Sequence, residues 1–154
     1  LNSTGVGTGA TSFKDIEKMH ADGKGKADKA NIGTVLYNRA LVNAFFYTEA
    51  IRTAQKEFGV KPLTGEQIQW GFEHLDITQK TIDDAGMTGL LSPVKITCLD
   101  HEGGGSALVQ QWDGGKWQAI TDFIEPRRDA LRPAYEASAA QYASEKGITP
   151  RSCN

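Results

Sequence analysis

The chain has 154 residues, with 17 Lys and Arg against 19 Asp and Glu, a formal net charge of −2 and two cysteines. No block of like charge is longer than Arg127-Arg128, which argues against nucleic acid or an anionic membrane as the partner. The length is ordinarily enough to bury one core, and no apolar run reaches the ~20 residues needed to span a bilayer.

Gly5-Val6-Gly7-Thr8-Gly9-Ala10 matches a dinucleotide fingerprint, but that motif needs a strand before it and only residues 1–4 precede it. It is read as a glycine-rich loop. Ser12 can cap a short helix over 13–21, with Phe13, Ile16, Glu17 and His20 on one side and Gly23 and Gly25 as its stop. Lys24, Lys26 and Lys29 follow without interleaved aromatics, the pattern of a solvated loop.

Over 32–58 the residues Leu41, Ala44, Phe45, Thr48, Ile51 and Phe58 recur at helical spacing, and Val42, Phe46 and Ala50 widen the stripe. So broad a stripe predicts burial on more than one side. Thr64 with Gln67 three residues on is a capping box for a helix that places Ile68, Phe72 and Leu75 on one face. Residues 78–84 read as a further helical turn or two, ended by Gly86.

Residues 91–121 encode two strands and a tight hairpin. Asp113-Gly114-Gly115-Lys116 supplies the turn, because glycine accepts positive φ at both central positions. The register then sets Trp112 against Trp117, Gln110 against Ala119 and Leu108 against Thr121. The indole pair is worth roughly 0.2 to 1 kcal/mol, and packing at the hairpin end explains it without a ligand. Asp100-His101-Glu102 before three glycines offers metal-ligating and oxyanion-loop residue types. The spacing suits neither chemistry, since adjacent ligands do not readily reach one ion and no HExxH or GxSxG occurs. A polar loop is the reading, with no metal and no cofactor expected.

In the tail, Pro126 opens a short helix and Pro133 a longer one over 133–146, closed by Gly147 with Pro150 beyond. Tyr135 and Tyr142, seven residues apart on this alanine-rich helix, are expected to pack in the core. Cys98 and Cys153 are separate thiols if the chain is cytosolic and a bridge if it is not.

Several segments together resemble the periplasmic leucine-binding-protein-like family, the type I solute receptors of ABC importers. They are Tyr37-Asn38-Arg39 running into Glu49-Ala50-Ile51-Arg52-Thr53-Ala54-Gln55, then Leu63-Thr64-Gly65-Glu66-Gln67, Trp70-Gly71-Phe72-Glu73, the 91–121 hairpin and the tail from Tyr142 to Arg151. The resemblance covers about residues 12–153. Ala40 stands where a subgroup often has Gly, which suits a helix interior.

The resemblance implies an α/β chain forming part of a two-lobe type I fold, with several helices, a C-terminal hairpin and a helical tail. Such receptors are roughly twice this long, with one domain per lobe. Residues 1–154 are accordingly expected to be a C-terminal fragment with elements of both lobes, lacking the amino-terminal half. The implied function is capture of a small solute, an amino acid or related carboxylate, amide or aromatic acid, without enzyme chemistry. The implied partners are that solute, a membrane permease, and the missing half or a second copy.

A family aromatic that lines the pocket corresponds to Tyr37, with Asn38 a second choice. From the residues themselves, Tyr37 offers an apolar face and a hydroxyl beside a positive helix end, or else a core tyrosine. An oxidising periplasm implies a Cys98–Cys153 bridge, worth about 4 kcal/mol for a ~55-residue loop. The rival from another class is an independent α/β interaction domain that binds a protein through the Trp112/Trp117 hairpin.

Overall fold

The computed structural model describes residues 11–26 and 28–153. The glycine motif of residues 5–10 lies outside them, as does the capping side chain of Ser12. Helix α1 spans Thr11–Ala21, and a 3-10 turn over Lys29–Asn31 leads into α2, Val35–Phe58. Then come α3 (Gly65–Glu73), β1 (Asp76–Ile77), α4 (Gln79–Asp84), β2 (Val94–Lys95), β3 (Gln110–Trp112), β4 (Trp117–Ala119) and α5 (Arg128–Lys146). The α/β class is as expected. Among the described residues the strands form two separate antiparallel two-stranded sheets, β1 with β2 and β3 with β4.

The Thr64 capping box forms as the sequence predicts. Its hydroxyl accepts from the Gln67 amide (3.3 Å), while the Gln67 side chain accepts from the Thr64 amide (3.0 Å), which starts α3 at a fixed residue. Helix α3 then lies against α2 at Gly71. A Cβ there would stand 2.2 Å from the Ala50 carbonyl oxygen and 3.0 Å from the Ala54 methyl. Only a residue without a side chain permits this approach. Edge-on contacts of Tyr47 with Phe72 (5.1 Å) and of Phe58 with Trp70 (5.2 Å) flank the crossing.

The core gathers Phe45 and Ala50 of α2, Leu75 and Ile77 around β1, Ile82 of α4, and Met87 and Leu91 beyond it. Leu75, Ile77 and Ile82 are the largest fully buried side chains among the described residues, each worth about 1.5–3 kcal/mol of transfer free energy. Burial on α2 is narrower than its sequence stripe predicts. Ala44, Thr48 and Ile51 are exposed, as are Leu36 and Tyr47, so the helix uses one face and leaves apolar residues on another uncovered.

The hairpin register is the expected one, Gln110 with Ala119 and Trp112 with Trp117. Two details differ. Gly114 alone of the two turn glycines has positive φ, at 103°, the signature of a II′ turn, in which only the first central residue is left-handed. Beyond Gln110 the ladder slips, because the Thr121 hydroxyl takes the Val109 amide (2.9 Å) and Ala107 pairs with Ile124 rather than Leu108 with Thr121. A side-chain acceptor has displaced a ladder bond.

The tail departs most from expectation. One helix, α5, replaces the two predicted, with Pro133 inside it. Proline removes the N–H that the Asp129 carbonyl would accept. No residue of α5 is buried, so water can take that place. The same exposure corrects the expectation for the tyrosines. Tyr135 and Tyr142 both lie on the surface because no described core element covers their face of the helix.

Candidate functional site

A disulfide and two ionic clusters fix the tail to the rest of the chain, one cluster at the end of α3 and one at the loop of residues 99–103. The route is set by topology. Strand β2 pairs with β1, which follows α3 closely, and Ile96 donates its amide to the Leu75 carbonyl at 2.9 Å. Cys98, two residues on, therefore lies near the C-terminal end of α3. It bonds Cys153 with the Cα atoms 5.6 Å apart, within the normal range for a bridge. That pairing is the one the sequence resemblance implied.

Two residues before Cys153, Arg151 reaches Glu73. Its Nη2 donates to Glu73 Oε2 at 2.8 Å and its Nη1 to Oε1, a bidentate fork. Gln69 Nε2 donates to the same Oε1 at 3.0 Å, and His101 Nε2 lies 3.5 Å from it. Only 7% of the Glu73 side chain is exposed. The hydrogen bonds from Arg151, then Gln69, outweigh the cost of burial and hold the carboxyl at about 2. Glu73 also borders a cavity of about 550 Å³, together with Gly65, Ile68, Gln69, Phe72, Ile96 and His101.

A second ionic cluster joins α5 to the loop of residues 100–103. Arg128 Nη2 lies 2.6 Å from Asp100 Oδ2 and 3.4 Å from Glu102 Oε2, and Nη1 donates to the Gly103 carbonyl. Arg132 donates to the Leu99 carbonyl at 2.9 Å and stands 3.7 Å from Asp100. The Arg128 hydrogen bond is the largest of the effects that lower the Asp100 pKa. The polar loop predicted at 100–105 is thus the anchor of α5. Among the described residues no group of three or more His, Cys, Asp or Glu is arranged to hold a metal ion.

The two residues singled out from the sequence lie elsewhere, in the first turn and a half of α2. Tyr37 is half-buried. Asn38 is buried, and its Oδ1 has no hydrogen-bond partner among the described residues. No described polar side chain joins them. Sequence reasoning named neither Glu73 nor Arg151 as a site residue. The available signal was a carboxylate four residues from Gln69 on the apolar helix of Ile68 and Phe72, and an arginine next but one to a cysteine.

Fold and site define a mixed α/β chain whose helical tail is secured by a disulfide and two ionic clusters. In sequence and structure it is similar to an ABC transporter permease from the Pseudomonas fluorescens group, at 44% identity and a TM-score of 0.88, over 98% of this chain and 37% of that one. The chain therefore spans little more than a third of that protein's length. No family model and no curated protein matches it.

This likeness overturns the reading of the chain as a leucine-binding-protein-like solute receptor, because the similar structure is that of a permease. The physical reason lies in what the motifs encode. Residues 49–55 belong to α2, with Ala50 and Ala54 buried against α3; Gly71 makes the helix crossing; and the Trp hairpin packs its own indoles, 5.6 Å apart. These are fold features, and a fold does not fix a function.

Proposed function

We propose that the chain is a portion of an ABC-transporter protein that stands outside the membrane on an oxidising, extracytoplasmic side and acts by docking rather than by catalysis. The observation that carries this reading is the 44% identity to the permease structure over nearly the whole chain. Two others agree with it. No described helix is long and apolar enough to cross a membrane, and the Cys98–Cys153 bridge suits a compartment in which disulfides persist. In the same reading these residues belong to a longer two-lobed α/β protein whose remaining chain covers the exposed apolar residues Leu36 and Tyr47 of α2 and Tyr142 of α5.

The test is to tag the full-length gene product in its native host, solubilise the membranes in mild detergent and identify what co-purifies. An ATP-binding-cassette subunit should accompany it, and protease added to intact spheroplasts should reach its tail. A product found alone in the cytoplasm with two reduced cysteines would overturn the proposal.

Exposure of both Trp112 and Trp117 favours a second reading, an α/β interaction domain that grips a protein through the hairpin. Trp112→Ala/Trp117→Ala separates the two, since it should abolish partner capture only under the second.

A further inference from the structure

Arg151 and Glu73 make a complete recognition pair whose two halves come from distant parts of the chain. The carboxylate is buried at the end of α3, presents both oxygens to one guanidinium, and borders a cavity with walls of Ile68, Phe72 and Ile96. Such a site suits a cation on an apolar shank: the fork of a guanidinium matches a carboxylate bidentately, and the alkyl stem lies along apolar side chains. The carboxylate is paired at present with a guanidinium from the tail, which does not line the cavity. Arg151 itself is half exposed and belongs to a segment with no helical or strand hydrogen bonding. The disulfide at Cys153 is what holds it within reach, so the occupant acts at a high effective concentration.

We propose that the Glu73 carboxylate, at the border of this cavity, is a binding site for an alkyl guanidinium ligand, that Arg151 occupies the carboxylate in cis, and that the Cys98–Cys153 bridge keeps Arg151 in place. A dithiol reductant releases it. One dithiol sulfur attacks the bridge, the Cys98–Cys153 bond breaks, both cysteines end as thiols carrying the dithiol's two protons, and the dithiol becomes its own disulfide. The tail is then tethered only through α5, the local concentration of Arg151 falls, and an external guanidinium can compete for the carboxylate.

Calorimetric titration of the protein tests this, with agmatine as a free guanidinium and the blocked tripeptide acetyl-Gly-Arg-Gly-amide as a peptide-borne one. Oxidised wild type should bind neither probe well. Arg151→Ala with the bridge intact should bind at least one of them ten times more tightly or better, and Arg151→Ala/Glu73→Gln should lose that gain. Dithiol-reduced wild type should behave like Arg151→Ala. Preference for agmatine identifies a small cation as the ligand, and preference for the tripeptide an arginine of another chain. A folded Arg151→Ala protein that binds both probes no better than oxidised wild type overturns the site. If Arg151→Ala gains affinity but reduced, still-folded wild type does not, the redox control is overturned. Because Arg151→Ala leaves both cysteines in place, the site remains testable should reduction unfold the chain.

Discussion

Two regions of this chain are held together by different physics. The block from α2 to Leu91 is an apolar core, with Leu75, Ile77 and Ile82 fully buried and α3 set on α2 through Gly71. The tail region, from the hairpin through α5 to Cys153, contains no buried residue; one covalent bond and a set of arginine–carboxylate pairs attach it. Core burial is insensitive to redox state and to charge, whereas the tail depends on both. The contrast explains why the recognition pair at Glu73 can have a removable half and a fixed one.

The comparison breaks most decisively at the core. Ile82→Ala should destabilise the chain by about 2–5 kcal/mol, as for other fully buried large-to-small changes, and urea denaturation should show the whole transition moving. Removal of the bridge comes next. Cys98→Ser/Cys153→Ser should cost about 2–4 kcal/mol by loss of the closed loop. Hydrogen exchange should rise first in residues 128–153 and little in α2 and α3. Equal loss of protection in both regions would show that the tail and the core are one cooperative unit.

Acid sharpens the contrast further. Glu73 is held at about 2 in the folded chain against an ordinary 4.5, so its folded value lies below its unfolded one. Its stabilisation is then complete above about pH 4.5 and is lost as the pH falls through the interval down to about 2. Because half of Arg151 faces water, screening leaves about 1–2 kcal/mol of that. Glu73→Gln should flatten this part of the stability profile, which denaturant midpoints measured from pH 2 to 6 would reveal. The smallest effect belongs to the hairpin. Trp112→Ala removes an exposed cross-strand pair worth roughly 0.2–1 kcal/mol, and a midpoint shift larger than that would mean the hairpin packs on more than itself.

The segments whose signals are local were legible in the sequence. A capping box, a hairpin turn between two tryptophans and a glycine closing the last helix are each decided within a few residues by backbone geometry and nearby hydrogen bonds; Thr64 and Gly147 do what they predict, and Asp113 to Lys116 turn the chain in the expected register with one left-handed glycine instead of two. The bridge was legible only through a resemblance, because a pair 55 residues apart carries no local signal. That resemblance also led to the wrong function, since Ala50, Gly71 and the indoles record packing, which proteins of different function can share.

What the sequence by itself determined is therefore where most elements lie, including a long α2 whose stripe is wider than the face it buries at Phe45, Ala50 and Ala54. Tertiary structure decided the rest. Whether Tyr135 is core or surface depends on whether another element covers it, and none of the described ones does. Whether Glu73 is a solvated surface charge or half of a recognition pair depends on the return of Arg151 across 78 residues. Burial and charge pairing are properties of what the chain brings near, and neither helical period nor turn chemistry specifies that.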